Sequence, residues 1–519
     1  MSGASVDRIP TGIPHFDGIL EGGFLKGGVY LVQGPPGAGK TILGNQLCFM
    51  HAKSGGSAVF ITLLAESHTR MLGHLRRMAF FDAALIPDRV FYVSGLKILE
   101  TDGLSGLLRA IRETVSARNA SLVIIDGFVS AEEAAPTPKQ LKKFIHEIQS
   151  VTSITNSTAL LLSSTERATV VRPEHTMVDG IIELSDEIVK LGPLRHLRVR
   201  KMRGADQIRG RHTIEITDEG IVVHPRIEKQ IHTAPGEGRV TPGDKRMAFG
   251  VPELDKMLRG GLPDGSITML LGPSGTGKTI LGMQFLVEGA RRGEPGVYFG
   301  FYEHPQALRL KSQRLNLGFA EMEEQGLIEV VWQPAIEGVI DILGERLLST
   351  LKRTKARRIF IDGIQGFQLA LDDYPERIRG VFAAIADELE RAGVTCVYTV
   401  EIRGIFGTTI DMPIPGISAV TQNLILLRYI ERRSQINRIL TIVKVRDSDY
   451  DHSVREVKIT NRGFDLGDLF AEVDLPSVGP SVNSGVSLPA REKGKPSKPK
   501  KKKKTASKAT SKGRARSER

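Results

Sequence analysis

Two eight-residue loops in this chain have the residue types and spacing to grip a polyphosphate. The first is Gly34-Pro35-Pro36-Gly37-Ala38-Gly39-Lys40-Thr41 and the second is Gly272-Pro273-Ser274-Gly275-Thr276-Gly277-Lys278-Thr279. Both satisfy G-x-x-x-x-G-K-[ST]. The glycines let consecutive backbone N–H groups turn inward around phosphate oxygens, and the helix that follows adds its positive end. Lys40 and Lys278 are expected to reach the β- and γ-phosphates. Thr41 and Thr279 are expected to offer a hydroxyl to Mg²⁺. The implied ligands are ATP and Mg²⁺.

Each loop has an acidic partner downstream. Leu122-Val123-Ile124-Ile125-Asp126 and Ile359-Phe360-Ile361-Asp362 are apolar runs that end in aspartate. Such a run buries a strand and leaves its terminal carboxylate facing the metal. Hydrolysis also needs a base to orient and deprotonate water. Glu66, in Ala65-Glu66-Ser67-His68, and Glu303, in Tyr302-Glu303-His304-Pro305, are the candidates. A glutamate ahead of a helix also suits the helix dipole without any catalytic role. Charge that develops on the γ-phosphate calls for a further cation. Lys201-Met202-Arg203 and Lys444-Val445-Arg446 supply two, and strand alternation would put each Lys and Arg on one face.

These residues require strand–loop–helix units to hold them. Val29–Val32 and Ile267–Leu271 read as buried strands before the loops. Leu43, Leu47 and Met50, like Leu281 and Phe285, recur at helical spacing after them. Further apolar runs at Ala58–Leu64, Thr158–Leu162, Val297–Phe301 and Thr395–Val400 alternate with helical patterns. That alternation predicts an α/β fold, a mostly parallel sheet flanked by helices. The pattern occurs twice. Lys40 and Lys278 are 238 residues apart, and Asp126 and Asp362 are 236 apart. A near-constant offset implies a duplicated domain. Domains are expected at 1–224 and 247–475, joined by a Pro/Gly-rich linker at 225–246. A disordered, Lys-rich tail is expected at 476–519.

Charge follows the same division. The chain of 519 residues carries a net +12, and residues 491–519 alone contain 14 Lys/Arg against 2 Asp/Glu. The remainder is therefore electrically neutral. A globally basic nucleic-acid-binding body is excluded, and any nucleic-acid contact is expected only through the tail. Cys48 and Cys396 lie in separate halves and in apolar stretches. Buried free thiols and a reducing compartment are expected, not a disulfide framework. No apolar run approaches the ~18 residues of a membrane span. The chain opens without a basic-then-apolar leader, so a cytoplasmic location without membrane contact is expected.

Together these residues resemble the KaiC family, a branch of the RecA-like P-loop ATPases. The resemblance rests on both loops, both aspartate-ending strands and both K-x-R segments. Thr11-Gly12-Ile13-Pro14-His15-Phe16-Asp17 and Phe249-Gly250-Val251-Pro252-Glu253-Leu254-Asp255 match as well, as do the Gly-Gly pairs after them. It covers roughly residues 8 to 470. It implies two tandem RecA-like domains and a homohexamer with nucleotide held between subunits. Lys201/Arg203 and Lys444/Arg446 would then act on a neighbour's ATP. The clock-type members autophosphorylate a Ser-Thr pair, which falls on Ser418 and Ala419. Alanine has no hydroxyl, so the resemblance implies at most one phosphosite, Ser418. Where the family often has Glu-Glu, this chain has Ala65-Glu66 and Tyr302-Glu303. Asp447 stands where the first copy has Gly204.

The leading expectation is an ATP-hydrolysing signalling or timing protein with serine autokinase activity in the second domain. Two other classes fit the loops. One is a RecA- or helicase-like DNA-dependent ATPase, for which the Lys500–Lys504 run is the only support and aromatic–basic interleaving is missing. The other is a non-catalytic nucleotide sensor, a hexameric scaffold that displays a partner surface when ATP closes the ring.

Overall fold

The computed structural model describes residues 7–65, 68–164, 173–189, 192–229, 245–334, 338–402, 417–432, 434–446 and 448–469. The expected tail at 476–519 lies outside them, as do Glu66 and Asp447. Within the first copy the strands are β1 (Arg8–Ile9), β2 (Phe24–Leu25), β3 (Val29–Gly34), β4 (Ala58–Thr62), β5 (Val90–Ser94), β6 (Leu122–Asp126), β7 (Thr158–Ser164), β8 (Gly180–Val189), β9 (Gly192–Met202), β10 (His212–Thr217) and β11 (Gly220–His224). The second copy repeats them as β12 (Arg246–Met247), β13 (Leu262–Pro263), β14 (Ile267–Gly272), β15 (Gly296–Gly300), β16 (Ile328–Trp332), β17 (Arg358–Asp362), β18 (Thr395–Glu401), β19 (Asn423–Arg432), β20 (Gln435–Val445), β21 (Arg455–Thr460) and β22 (Gly463–Leu469).

Each copy builds one nine-stranded sheet, ordered β11-β10-β9-β8-β3-β7-β6-β4-β5 and, read in the matching direction, β22-β21-β20-β19-β14-β18-β17-β15-β16. The pairings from β5 to β8 and from β16 to β19 are parallel, and the remaining strands add on antiparallel. Central strands buried on both faces must be apolar throughout. β3, β4 and β6 are buried at every position, as are β14 and β15. Helices cover both faces of each sheet and close two cores per copy. Cys48 and Cys396 are free thiols in those cores.

The repeated opening motif has a structural job. Asp17 accepts hydrogen bonds from the backbone of Thr11 (2.7 Å) and Gly12 (3.2 Å), and Asp255 does the same for Phe249 (2.7 Å) and Gly250 (3.0 Å). The aspartate thus ties down a turn at the start of a short helix. The Gly-Gly pairs are forced by geometry. Gly23 has φ 113°, and a Cβ there would sit 2.2 Å from the Ile9 carbonyl oxygen; Gly261 has φ 127° and a Cβ would meet Met247 backbone at 2.5 Å. Only glycine fits where β2 crosses so close to β1.

The segment expected as a linker begins with packed residues. Ile227 is buried in the core of the second copy. Glu228 accepts from Arg377 Nε and Nη2, each at 2.8 Å, and pairs with Arg226. Asp341 is 1% exposed and accepts from Arg377 (2.6 Å), from the Ile227 backbone (3.2 Å) and from Thr213 (3.3 Å). The two copies are therefore locked by a buried ion cluster at their seam. Residues 230–244 lie outside the described residues.

Candidate nucleotide sites

Both P-loops sit at the carboxyl ends of the central parallel strands, where open α/β sheets bind ligands. Lys40 and Lys278 open the helices Lys40–Lys53 and Lys278–Arg291, each preceded by a left-handed glycine, Gly39 (φ 97°) and Gly277 (φ 99°). Gly34 and Gly272 are needed for another reason: a Cβ would lie 2.3 Å from the Leu184 carbonyl oxygen and 2.6 Å from that of Leu427. Gly37 and Gly275 also take positive φ, 83° and 77°.

The lysines are almost buried, 7% exposed for Lys40 and 9% for Lys278. Lys40 Nζ donates to the carbonyls of Gly34 and Pro35, both at 2.8 Å. Lys278 Nζ donates to Gly272 (2.7 Å) and Pro273 (2.6 Å). Each ammonium is thus held inside its own loop. Burial lowers the pKa of both, opposed by Asp126 for Lys40 and by Glu401 and Asp362 for Lys278. Anionic phosphates would offset that burial.

The hydroxyls and aspartates meet as the spacing requires. Thr41 Oγ1 donates to Asp126 Oδ2 at 2.8 Å, and Thr279 Oγ1 to Asp362 Oδ2 at 2.9 Å. A hydroxyl and a carboxylate beside a phosphate cradle fit Mg²⁺, which takes one or two protein oxygens and completes its shell with phosphates and water. Among the described residues no cluster of three or more His, Cys, Asp or Glu could hold a metal alone. The donor set therefore fits a nucleotide-borne Mg²⁺.

The two aspartates differ in what surrounds them. Tyr298 Oη donates to Asp362 Oδ2 at 2.7 Å and Thr399 Oγ1 to Oδ1 at 2.9 Å. The Gly363 N–H fixes Thr399 by donating to its oxygen at 2.7 Å. Burial, with Asp362 beside it, pushes the Tyr298 pKa well up, so the phenol stays a donor. At the same register positions the first copy has Phe60 and Leu162, which have no polar atom to offer. Glu401, paired in register with Gly272, puts a carboxylate at the rim of the second loop, where the first copy has Ser164 beside Gly34. Motif spacing pointed to none of Tyr298, Thr399 or Glu401. Reading the two copies against each other would have exposed all three.

Glu303 lies between β15 and the helix Pro305–Arg314, at the same sheet edge as Asp362. Its two carboxylate oxygens both accept from Lys311 Nζ, one at 2.6 Å. Glu66 falls outside the described residues.

The K-x-R segments are not near their own loops. Lys201 and Lys444 end β9 and β20 just past a bulge, at the level of Ile181 and Leu424, and these neighbour Leu31 and Met269. Both strands stop one residue before the arginine, although the Arg203 N–H still donates to the Asp179 carbonyl (2.9 Å) and the Arg446 N–H to that of Gln422 (3.3 Å). Arg203 sits at the Val29 end of β3, five residues from Gly34, or ~16 Å along the strand. Lys201 Nζ donates to the carbonyls of Val178 (2.6 Å), His175 (3.3 Å) and Thr176 (3.4 Å), at the end of the helix Pro173–Met177. Lys444 Nζ donates to Thr421 at 3.1 Å, after the helix Ile417–Val420 that carries Ser418. The lysines therefore cap short helices, a role the sequence did not suggest. Arg203 pairs with Asp179 at 3.3 Å, and Arg446 is exposed.

Comparison with known proteins agrees with this geometry. A family model described as a KaiC ATPase matches residues 9–228 and again 247–468. The circadian clock oscillator protein KaiC 1 of Synechocystis sp. is 27% identical over 493 residues, covering 90% of each chain. The circadian clock oscillator proteins KaiC of Picosynechococcus sp. and Synechococcus elongatus are each 26% identical, over 490 and 492 residues, again covering 90% of both chains.

Proposed function

This chain belongs to the KaiC family of ATPases, and from that premise we propose that it is an ATP-hydrolysing ring protein with a signalling or timing role. The observation that carries the proposal is the double one at the loops. Each copy encloses its P-loop lysine and sets a Thr–Asp pair, at 2.8 and 2.9 Å, beside the phosphate cradle. ATP would be held by Gly34, Gly37, Gly39 and Lys40, and by Gly272, Gly275, Gly277 and Lys278. Mg²⁺, when bound by Thr41/Asp126 and Thr279/Asp362, would neutralise charge on the phosphates. Glu66 and Glu303 would take the proton from the attacking water.

The proposed working form is a homohexamer. The separation of Arg203 and Arg446 from their own loops supports a role at a neighbour's nucleotide, because an arginine cannot cross ~16 Å of sheet. Ser418, on a short helix at that same far end, is for the same reason a candidate acceptor of a neighbour's γ-phosphoryl. In that transfer the serine oxygen would form the new P–O bond as the β–γ bridging bond breaks, ADP leaves, and Glu303 accepts the hydroxyl proton. The relatives' names motivate the timing role, and no helix among the described residues is long and apolar enough to cross a membrane. A cytoplasmic location accords with the buried free thiols.

Subunit mixing tests the shared site. Lys278→Ala cannot hold its own nucleotide and Arg446→Ala cannot complete its neighbour's. Hexamers mixed from the two, in a Glu66→Gln background, should regain ATP turnover that neither parent has. Absence of any recovery, with mixed hexamers seen by native mass, overturns the shared site.

A further inference from the structure

Glu303 is the proposed water-orienting base of the second site, and the role inferred here for Lys311 rests on that reading. The Glu303 carboxylate does not face the site freely. It folds along the helix Pro305–Arg314, where Lys311, two turns in, donates to both of its oxygens. A carboxylate can accept a proton only through a lone pair aimed at the water, and here both oxygens are engaged by one ammonium. Asp362, Thr279 and the P-loop lie at the same sheet edge. We infer that Lys311 is a positioning residue that holds Glu303 in a resting pose, so the second site turns over only when this ion pair opens.

The pair is local, within one helix and the turn before it, so it can open without moving the sheet. Both side chains are 30% exposed, so the pair is screened and weak enough to open on a working timescale. In the first copy the residue at the helical position of Lys311 is His74, exposed, with a shorter side chain and no ammonium. The Lys311 pair belongs to the second copy, the one whose helix Ile417–Val420 carries Ser418.

The test uses the full chain with ATP and Mg²⁺ in a Glu66→Gln background, so that the second site dominates phosphate release. Lys311→Met should raise kcat about two- to fivefold, the range that a partly exposed ion pair can hold back, and leave KM unchanged. Lys311→Arg should keep the low rate. Raising ionic strength should speed the Lys311 protein and leave Lys311→Met unaffected. An unchanged or lower kcat in Lys311→Met, while Glu303→Gln stops turnover, overturns the clamp and leaves the base intact. Undiminished turnover in Glu303→Gln overturns the base and the clamp with it.

Discussion

The two halves of this molecule each repeat a nine-stranded sheet, a phosphate loop and a Thr–Asp pair, yet they surround the aspartate differently. Asp126 is flanked by Phe60 and Leu162, whereas Asp362 is held by Tyr298 and Thr399 as well as Thr279. Phe60 and Leu162 offer Asp126 no hydroxyl where Tyr298 and Thr399 each offer one to Asp362. A carboxylate with three hydroxyls on it is better ordered, and Mg²⁺ must compete with them for its lone pairs. The second site also has Glu401 at the loop rim and Lys311 bound to Glu303. Duplication has kept the phosphate-loop geometry and changed the residues around it.

The largest effect should separate them at once. Lys278→Ala removes the ammonium from the second loop and should cut second-site turnover at least about 100-fold, since the lysine carries phosphate binding and transition-state charge. It should also abolish phosphate on Ser418. Lys40→Ala should cost the first site as much while Ser418 is still modified. Phosphopeptide mapping after ATP incubation reads both. Phosphoserine at 418 in Lys278→Ala would reverse the assignment of the donor site.

The seam offers a way to study the copies apart. Burial alone would raise the Glu228 pKa, but Arg377 and Arg226 overcome it and hold the carboxyl down at about 2. A depressed carboxyl stabilises the folded state above its unfolded pKa of about 4.5, and that stability is lost as pH falls toward 2. The linkage is worth up to about 3 kcal/mol at neutral pH. His224 runs the other way. Its pKa is raised against burial by Glu345 and Glu215, so its contribution is complete in mild acid and fades as pH rises through the folded value. Calorimetry at neutral pH should therefore show the copies melting together. Below about pH 4 the transition should split in two, with the copy richer in donors around its aspartate melting separately. A single transition at every pH would mean that this cluster does not couple them. Arg377→Met at neutral pH should reproduce the split, because it leaves Asp341 and Glu228 without their shared cation.

Much of this was legible in the sequence, and the reason is physical. A P-loop needs glycine where φ is positive, as at Gly39 and Gly277, and where backbone approaches backbone, as at Gly34 and Gly272, so its residues cannot drift. Central parallel strands must be apolar on both faces, so β3, β6, β14 and β17 could be read from runs of Val, Ile and Leu. The K-x-R segments were found, but the helix-capping contacts of their lysines were not. Arg203 and Arg446 fall just after the last residues of β9 and β20, and no local pattern announces that a lysine will cap a helix 23 to 26 residues back. Lys311 was invisible for a related reason. On a helix surface a lysine is ordinary, and only the turn that brings Glu303 back along the helix makes it a partner. Tyr298 and Thr399 sit in strands as unremarkable β-formers, and their hydroxyls matter only because neighbouring strands bring them to Asp362.

The Tyr298 hydroxyl gives the smallest but sharpest test of the comparison. Tyr298→Phe changes one oxygen and puts into the second site the ring that the first already has at Phe60. The ring stays packed against Phe319 and Phe360, so the core should not collapse. What is lost is a 2.7 Å hydrogen bond to a charged oxygen, worth about 1.5 kcal/mol. In the absence of nucleotide the second copy should therefore melt a few degrees lower. With ATP present the sign should turn. Asp362 gains a free lone pair, and the Mg²⁺ concentration needed for half-maximal second-site turnover should fall about two- to threefold toward the first site's value. Phe60→Leu, which trims the first site's ring without touching polarity, should leave the Mg²⁺ requirement unmoved. If Tyr298→Phe lowers stability but leaves the Mg²⁺ requirement where it was, the donors around Asp362 only hold the fold, and the two sites differ in packing rather than in chemistry.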